Sequence, residues 1–265
     1  MPPGAGDAAS TLPDYFITAD DITVTGYNVQ VDRLVADWQG AFPGGAAMDT
    51  NGDGRLSSAD IGGGIDLDLQ LQMAGFYPHG GGQVAARIAG GSRVRGLHLT
   101  ERGRLVRIHG LSAVADLPQE IAERQRMQAL KRLDKVIRKA PVGIEISSLP
   151  ARSRGTLLLL LAEFEHSKAC FFALGARGKR AESVADEAVD YLAEFLSTRA
   201  TLDYWMADQL LLPLSLAGEE SVFVTSRSTQ HLMTNAEVIK LFLPVQISIE
   251  GTPGETAKVS IGPLT

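Results

Sequence analysis

The sequence predicts an α+β fold, with strands and helices interleaved from residue 65 to about residue 251. Three observations support this class. Short alternating or continuously apolar runs, typical of strands, follow one another along the chain. Longer segments whose apolar residues recur with helical spacing separate these runs. The composition, with 45% hydrophobic residues in a chain of 265, is sufficient for a packed core in one large domain or two modest ones.

The strands are predicted from apolar patterning. Segments 65–73 and 83–89 are strand-like, and the glycine run 80–82 before the second is typical of a hairpin turn. Segments 156–164 and 169–176 are almost continuously apolar, which predicts two buried strands. The remaining predicted strands are 104–114, 142–149, 222–226 and 245–251.

The helices are predicted from start signals and an apolar stripe. Asp116 and Pro118 are typical of a helix start, and apolar residues recur from Ile121 to Ile137, which predicts a helix over 118–139. Further helices are predicted over 181–198, 201–217 and 235–243.

The formal net charge of −6 is unevenly distributed. Residues 1–62 contain nine Asp and two Arg, whereas residues 93–139 carry twelve Lys or Arg against five Asp or Glu, a net of +7. A polyanion would therefore bind the second segment and be repelled by the first. The helix predicted over 118–139 carries candidates for RNA contact, although an ordinary solvated face is the alternative: Arg124, Lys131, Arg132 and Lys135.

The acidic segment contains a pattern typical of a calcium-binding loop at 49–60. Gly54 occupies the sixth place, where such a loop turns sharply, and the loop resembles dockerin-type loops in ending on Asp rather than Glu. A surface turn rich in Asp, Asn and Gly is the alternative. The predicted calcium ligands are Asp49, Asn51, Asp53, Arg55, Ser57 and Asp60.

Composition excludes several classes of protein. Cys170 is the single cysteine, so an internal disulfide and a cysteine-based zinc site are excluded. The longest apolar run, 156–164, is too short to cross a bilayer. The first ten residues lack the basic and apolar regions of a signal peptide, so we expect a cytoplasmic protein without a membrane partner.

Candidate chemistry lies in the last third of the chain. His231 is expected at an exposed junction between a strand and a helix, and a neutral imidazole is a nucleophile at phosphorus. Trp205 lies three residues before Asp208 and shares its helix face, followed by Gln209. An aromatic ring beside a carboxylate can bind a nucleoside by stacking and hydrogen bonding. Two alternatives stay open from the local sequence alone. His231 is then an ordinary surface histidine, and Asp208 is a helix-surface carboxylate beside a core tryptophan, Trp205.

Four segments, taken in order, resemble the RNA 3′-terminal phosphate cyclase family. They are GFYPHGGGQV, LLAEFEHSKACFFALGARGKRAESVA, WMADQLLLPLSLAG and HLMTNAEVIKLFLPV, and the resemblance covers about residues 65–251. In that family a histidine attacks the α-phosphate of ATP and becomes adenylated. AMP then passes to an RNA 3′-phosphate, and the neighbouring 2′-hydroxyl displaces it to leave a 2′,3′-cyclic phosphate.

The resemblance assigns roles to the candidate residues. It implies that His231 accepts AMP, that Asp208 and Gln209 orient the nucleotide, and that Trp205 stacks on the base where the family often has tyrosine. The matching histidine also argues against the family's non-catalytic ribosome-biogenesis branch. ATP, a divalent ion (Mg or Mn) and RNA 3′-phosphate ends are the implied cofactors and partners.

The resemblance also implies part of the cyclase fold, an α/β repeat with a sheet packed on two helices, plus a small α/β insert domain. The expected divisions are an acidic segment 1–64, an edge of the catalytic domain 65–82, the insert domain 83–150, the last catalytic repeat 151–251 and a tail 252–265.

The family's glycine-rich opening segment and two further repeats have no counterpart in this sequence. The leading hypothesis is therefore a truncated cyclase-like ligase, completed by a missing N-terminal half or by self-association. A catalytically inactive RNA- or protein-binding relative is the second hypothesis. A calcium-stabilised interaction module is the third.

Overall fold

The computed structural model describes residues 15–17, 21–26, 66–89, 95–137 and 139–263. These residues form twelve strands and four helices, which confirms the predicted α+β class. The predicted calcium loop at 49–60 lies outside them.

In chain order the elements are β1 (Tyr15–Ile17), β2 (Asp21–Gly26), β3 (Asp66–Met73), β4 (Gly82–Ala89), β5 (His98–Leu99), β6 (Leu105–Ala115), α1 (Gln119–Val136), β7 (Val142–Ser148), β8 (Gly155–Phe164), β9 (Lys168–Leu174), α2 (Ala181–Ser197), α3 (Tyr204–Ser215), β10 (Ser221–Thr225), α4 (Gln230–Phe242), β11 (Ile247–Glu250) and β12 (Ala257–Ile261).

The chain divides into two compact units. The first takes the described residues of Met1–Ser92, Ala113–Gln119 and Ser147–Thr156, and the second takes those of Arg93–Ser112, Glu120–Ile146 and Leu157–Thr265. The first unit contains a four-stranded sheet with the order β1-β2-β4-β3. Its strands β3 and β4 pair antiparallel, as a hairpin requires. Gly80 and Gly81 have φ values of 62° and 81° in the connecting turn, a backbone conformation that glycine adopts without strain.

The first core of the second unit lies between a sheet and two helices. The sheet has the order β7-β6-β8-β9, and α1 and α2 supply the helical side of the core. All ten residues of β8 are buried, and β8 pairs antiparallel with β9. Both strands expected from the apolar runs are therefore present, but β9 buries only its alternate residues Ala169, Phe171 and Ala173. The core includes Ile108, Leu133, Leu160, Phe171, Leu192 and Phe195.

The second core of this unit lies between a smaller sheet and the last two helices. The sheet has the order β11-β12-β10-β5, with β5 parallel to β10. Helices α3 and α4 pack against one another and against this sheet. The core includes Leu211, Phe223, Leu232, Ile239, Val259 and Ile261.

These two cores differ from the expected divisions of the chain. Strands β8 and β9 and helix α2 share a core with α1, whereas the predicted boundary at 150/151 separates them from it. Strand β12 falls in the segment 252–265 that was predicted to be a tail. Within the described ranges, none of the helices combines the length and apolarity needed to cross a membrane.

Candidate active site

His231 is the second residue of helix α4, and its side chain is exposed. The hydroxyl of Thr229 caps this helix by accepting a hydrogen bond from the N–H of Leu232 at 3.1 Å. The sequence placed the helix start at 235 and His231 in the preceding loop, which is wrong. The cap at Thr229 starts the helix five residues earlier, so His231 lies in its first turn.

The segment before α4 is tied to the turn between β11 and β12. The buried hydroxyl of Ser228 donates to the carbonyl oxygen of Thr252 at 2.9 Å. The N–H of Ser228 donates to the carbonyl oxygen of Glu255 at 2.8 Å, and the N–H of Gly254 donates back to the carbonyl oxygen of Ser228 at 2.9 Å. Both the N–H and the carbonyl oxygen of Ser228 are hydrogen-bonded to this turn, so the backbone that leads into α4 and His231 is held in place.

Helix α3 carries the predicted nucleotide-binding residues. Its N-cap is Asp203, whose carboxylate accepts a hydrogen bond from the N–H of Met206 at 2.9 Å. Asp203 is buried, and this burial raises the pKa of its carboxyl group. Asp208 is half-buried on the same helix, and Gln209 is exposed. Both residues therefore have polar atoms within reach of solvent or a ligand.

A side-chain contact joins α3 to α4. Nδ2 of Asn235 lies 3.2 Å from Oδ1 of Asp208 and 3.3 Å from the backbone oxygen of Asp208. Asn235 is four residues after His231, so the two share a face of α4. Asn235 was not among the site residues predicted from the sequence. Its spacing from His231 within the motif HLMTN was the available signal.

Trp205 is partly exposed, at 39% of its surface, and is therefore not a core tryptophan. Its ring lies 4.0 Å from that of Tyr204, tilted by 33°, and 5.4 Å from that of Tyr191 in an edge-to-face arrangement. These neighbours support the indole while part of its surface stays accessible. The ring is thus placed where it could stack on a base.

Tyr204 connects this aromatic group to the loop before α4. The guanidinium of Arg227 lies 5.0 Å from the centre of the Tyr204 ring and forms an ion pair with Glu194 of α2. Burial raises the pKa of Tyr204 to about 12, so its phenol stays protonated at neutral pH. The arrangement links α2, α3 and the loop that leads to His231.

The structure divides the four predicted RNA contacts into two pairs. The guanidinium of Arg124 hydrogen-bonds both carboxylate oxygens of Glu182, each at 2.9 Å. Arg132 donates to Asp186 at 2.9 Å and also pairs with Asp190. These two arginines therefore join α1 to α2. Lys131 and Lys135 are exposed.

The metal ligands expected from the sequence lie outside the described residues. Within the part of the chain that the structure describes, His, Cys, Asp and Glu side chains form no group of three or more that could hold a metal ion. An open groove of about 450 Å³ lies along β11 and β12, lined in part by Glu220, Lys240, Ser248 and Ser260. His231 and Asp208 do not line it.

Comparison with known proteins identifies relatives of this chain. Residues 100–197 match the family model of the RNA 3′-terminal phosphate cyclase (RTC) insert domain. The chain is 38% identical to the RNA 3′-terminal phosphate cyclase of Gloeothece citriformis over 188 residues, which cover 70% of this chain and 53% of that protein. It is 36% identical to the cyclase of Staphylothermus marinus over 210 residues, covering 75% and 57%. It is 41% identical to the cyclase of Methylococcus capsulatus over 180 residues, covering 68% and 49%.

These matches support a relationship of this chain to the RNA 3′-terminal phosphate cyclase family. The chain spans about half the length of the curated relatives it matches. The range matched by the insert-domain family, 100–197, extends beyond the expected insert domain at 83–150. It contains α1, β8, β9 and α2, which together line the first core of the second unit.

Proposed function

We propose that this chain carries the nucleotide-activating part of an RNA 3′-terminal phosphate cyclase, with His231 as the acceptor of AMP. The single observation that carries the proposal is the pairing of α3 with α4. The helix that bears exposed His231 is joined through Asn235 to Asp208, on the helix that bears Trp205 and Gln209. The similarity to cyclases over about 70% of the chain supports it.

The position of His231 suits attack at a phosphate. A neutral imidazole nitrogen has a lone pair available near neutral pH. The first turn of a helix presents N–H groups and the positive end of the helix dipole, which favour nearby negative charge such as that of a triphosphate. The hydrogen bonds of Ser228 and Thr229 hold the backbone that carries His231, which matters because positioning supplies much of the rate in such transfers.

The proposed reaction has three steps. First, a nitrogen of His231 forms a bond to the α-phosphorus of ATP, and the bond to the leaving pyrophosphate breaks. Second, an oxygen of the RNA 3′-phosphate attacks the same phosphorus and displaces the imidazole. Third, the neighbouring 2′-hydroxyl attacks the RNA phosphorus, loses its proton and releases AMP, which leaves a 2′,3′-cyclic phosphate.

Trp205, Asp208 and Gln209 serve the nucleoside end of ATP in this proposal. Trp205 stacks on the base through its accessible surface, and Asp208 and Gln209 accept or donate hydrogen bonds to the nucleoside. A divalent ion, Mg or Mn, accompanies ATP as a proposed cofactor. Among the described residues, His, Cys, Asp and Glu side chains form no group of three or more that could hold this ion.

The proposal is tested by incubating the full chain with ATP labelled at the α-phosphate and a divalent ion, followed by denaturation. We expect label that is lost in acid and retained in alkali, as for a phosphoramidate on histidine. His231→Ala is expected to abolish it. His166→Ala, which removes another exposed histidine, is the matched control and should retain it. Label that survives His231→Ala would contradict the assignment.

A catalytically inactive RNA- or protein-binding relative is the second candidate. It is favoured by the exposed side chains of Lys131 and Lys135 on α1, which are available to phosphates. Under this hypothesis the purified chain binds RNA through α1, and ATP changes neither the RNA end nor the protein. Formation of a cyclic end on RNA bearing a 3′-phosphate would exclude it.

A further inference from the structure

Asn235 makes two side-chain contacts across the helix pair. Its Nδ2 lies 3.2 Å from Oδ1 of Asp208 and 3.3 Å from the backbone oxygen of the same residue. The amide nitrogen carries two N–H groups, so it can make both hydrogen bonds at once. Asn235 and Asp208 are both half-buried, which reduces competition from water.

These contacts restrict the carboxylate of Asp208. The terminal torsion of an aspartate is broad and nearly two-fold, so an unsupported carboxylate samples many orientations. A hydrogen bond at Oδ1 selects among them and leaves Oδ2 as an acceptor for another group. The backbone contact fixes the same amide against α3 itself.

An ionised carboxylate accepts hydrogen bonds and donates none. Its ligand must therefore present a donor, such as a ribose hydroxyl or a base amino group. The phosphates of a nucleotide would be repelled by it. The carboxylate thus favours the nucleoside end, and in the proposed function the phosphates are placed at His231, in the first turn of α4.

Building on the proposed function, we propose that Asn235 is a positioning residue for the nucleotide. It holds Asp208 so that Oδ2 accepts a hydrogen bond from the nucleoside of ATP. Because Asn235 and His231 share α4, one helix both carries the nucleophile and orients the carboxylate that binds the nucleotide. Asn235 itself does not touch the reacting atoms in this proposal.

The test measures the Kd of ATP for the full chain by titration calorimetry. Asn235→Leu is similar in size but cannot donate a hydrogen bond, and its Kd is expected to rise about tenfold. Asn235→Asp keeps the shape and places a second carboxylate beside Asp208, so it should weaken binding at least as much. Thr234→Ala is the matched control, because Thr234 is an exposed neighbour on α4 whose side chain meets Gln230 at 3.3 Å. Its Kd should be unchanged.

A double-variant cycle separates positioning from a general effect on folding. If Asn235 acts through Asp208, Asn235→Leu added to Asp208→Ala should cause no further loss of affinity. Additive losses would overturn the inference, as would wild-type affinity in both Asn235 variants. Either result leaves the proposed function in place. Failure of the folded wild-type chain to bind ATP would overturn the inference together with the proposed function.

Discussion

Arg124 of α1 and Glu182 of α2 form a two-point ion pair, with both hydrogen bonds at 2.9 Å. One turn further along α2, Asp186 accepts from Gln128 at 2.7 Å and from Arg132 at 2.9 Å. The polar contacts therefore continue along both helices. The basic helix expected to bind RNA uses part of its charge to hold a neighbouring helix.

This division predicts different effects for the basic residues of α1. Lys131→Ala is expected to weaken binding of single-stranded RNA and to reduce the slope of log affinity against log salt by about 0.7, because one phosphate contact is lost. Arg124→Ala should leave that slope unchanged and lower the Tm slightly. Fluorescence anisotropy over a salt series measures both. A loss of slope in Arg124→Ala equal to that in Lys131→Ala would contradict the division.

Arg102 is expected to be a major stabilising residue. Its guanidinium lies 4.8 Å from the ring centres of both Phe164 and Phe195. Arg102→Met keeps the apolar stem but leaves the carbonyls without their charged donor, so the free energy of unfolding should fall by about 3 kcal/mol in urea titration. The guanidinium donates to the carbonyl oxygens of Phe195, Leu196, Thr198 and Ala200.

Arg104→Met is the control for this variant. The Arg104 side chain is 89% exposed and pairs with Glu165 at the surface, where an ion pair contributes little. Its unfolding midpoint should therefore stay near that of the wild type. Equal losses in the two variants would refute the role assigned to Arg102.

Thr229 is expected to link stability to catalysis. Thr229→Ala removes the cap of α4 and should cost about 1 kcal/mol. Because His231 lies in the first turn of that helix, the initial rate of AMP labelling should also fall. Thr229→Ser keeps a capping hydroxyl and should restore both the Tm and the rate. A normal labelling rate in Thr229→Ala would show that the cap does not position His231.

His109 is expected to make the second unit less stable in mild acid. Its Nε2 is buried without a hydrogen-bond partner in the described structure. Burial and the charge of Arg107 lower its pKa, and Lys168 acts in the same direction, whereas Glu163 and Glu145 oppose the shift. In the unfolded chain the histidine titrates near its usual value of about 6.5.

The direction in which stability changes with pH follows from proton binding. Below about pH 6.5, His109 binds a proton in the unfolded chain but stays neutral in the folded chain, because its pKa is lower there. The free energy of unfolding therefore decreases as the pH falls towards the pKa of His109 in the folded chain. His109→Gln cannot titrate, and its urea midpoint should fall less between about pH 7.5 and pH 5.5 than that of the wild type. Parallel pH profiles for the two proteins would contradict this prediction.

The sequence predicted those elements whose signal is local. Strands β8 and β9 were evident because 156–164 and 169–176 are almost continuously apolar, although only β8 is buried along its whole length. Helix α1 was evident from its apolar stripe. The start of α4 was missed although Leu232, Ala236 and Ile239 recur with helical spacing. The capping role of Thr229, which places the start at Gln230, follows from the backbone geometry.

Other features depend on tertiary neighbours that one sequence does not specify. Pairing of Arg124 with Glu182 joins residues 58 positions apart, so the basic pattern of α1 could not show that some of its charge is engaged. The bond from Asn235 to Asp208 spans 27 positions. Strand β12 was missed because it is short and follows a segment containing Gly and Pro that is typical of a loop.

The most direct test of the central claim is to locate AMP on the protein. The full chain is incubated with ATP and a divalent ion, digested under alkaline conditions that preserve a phosphoramidate, and mapped by mass spectrometry. The account predicts AMP on the peptide that contains His231, and release of that AMP when RNA with a 3′-phosphate is added. AMP attached to a different residue, or a folded chain that binds ATP and forms no adduct, would contradict it.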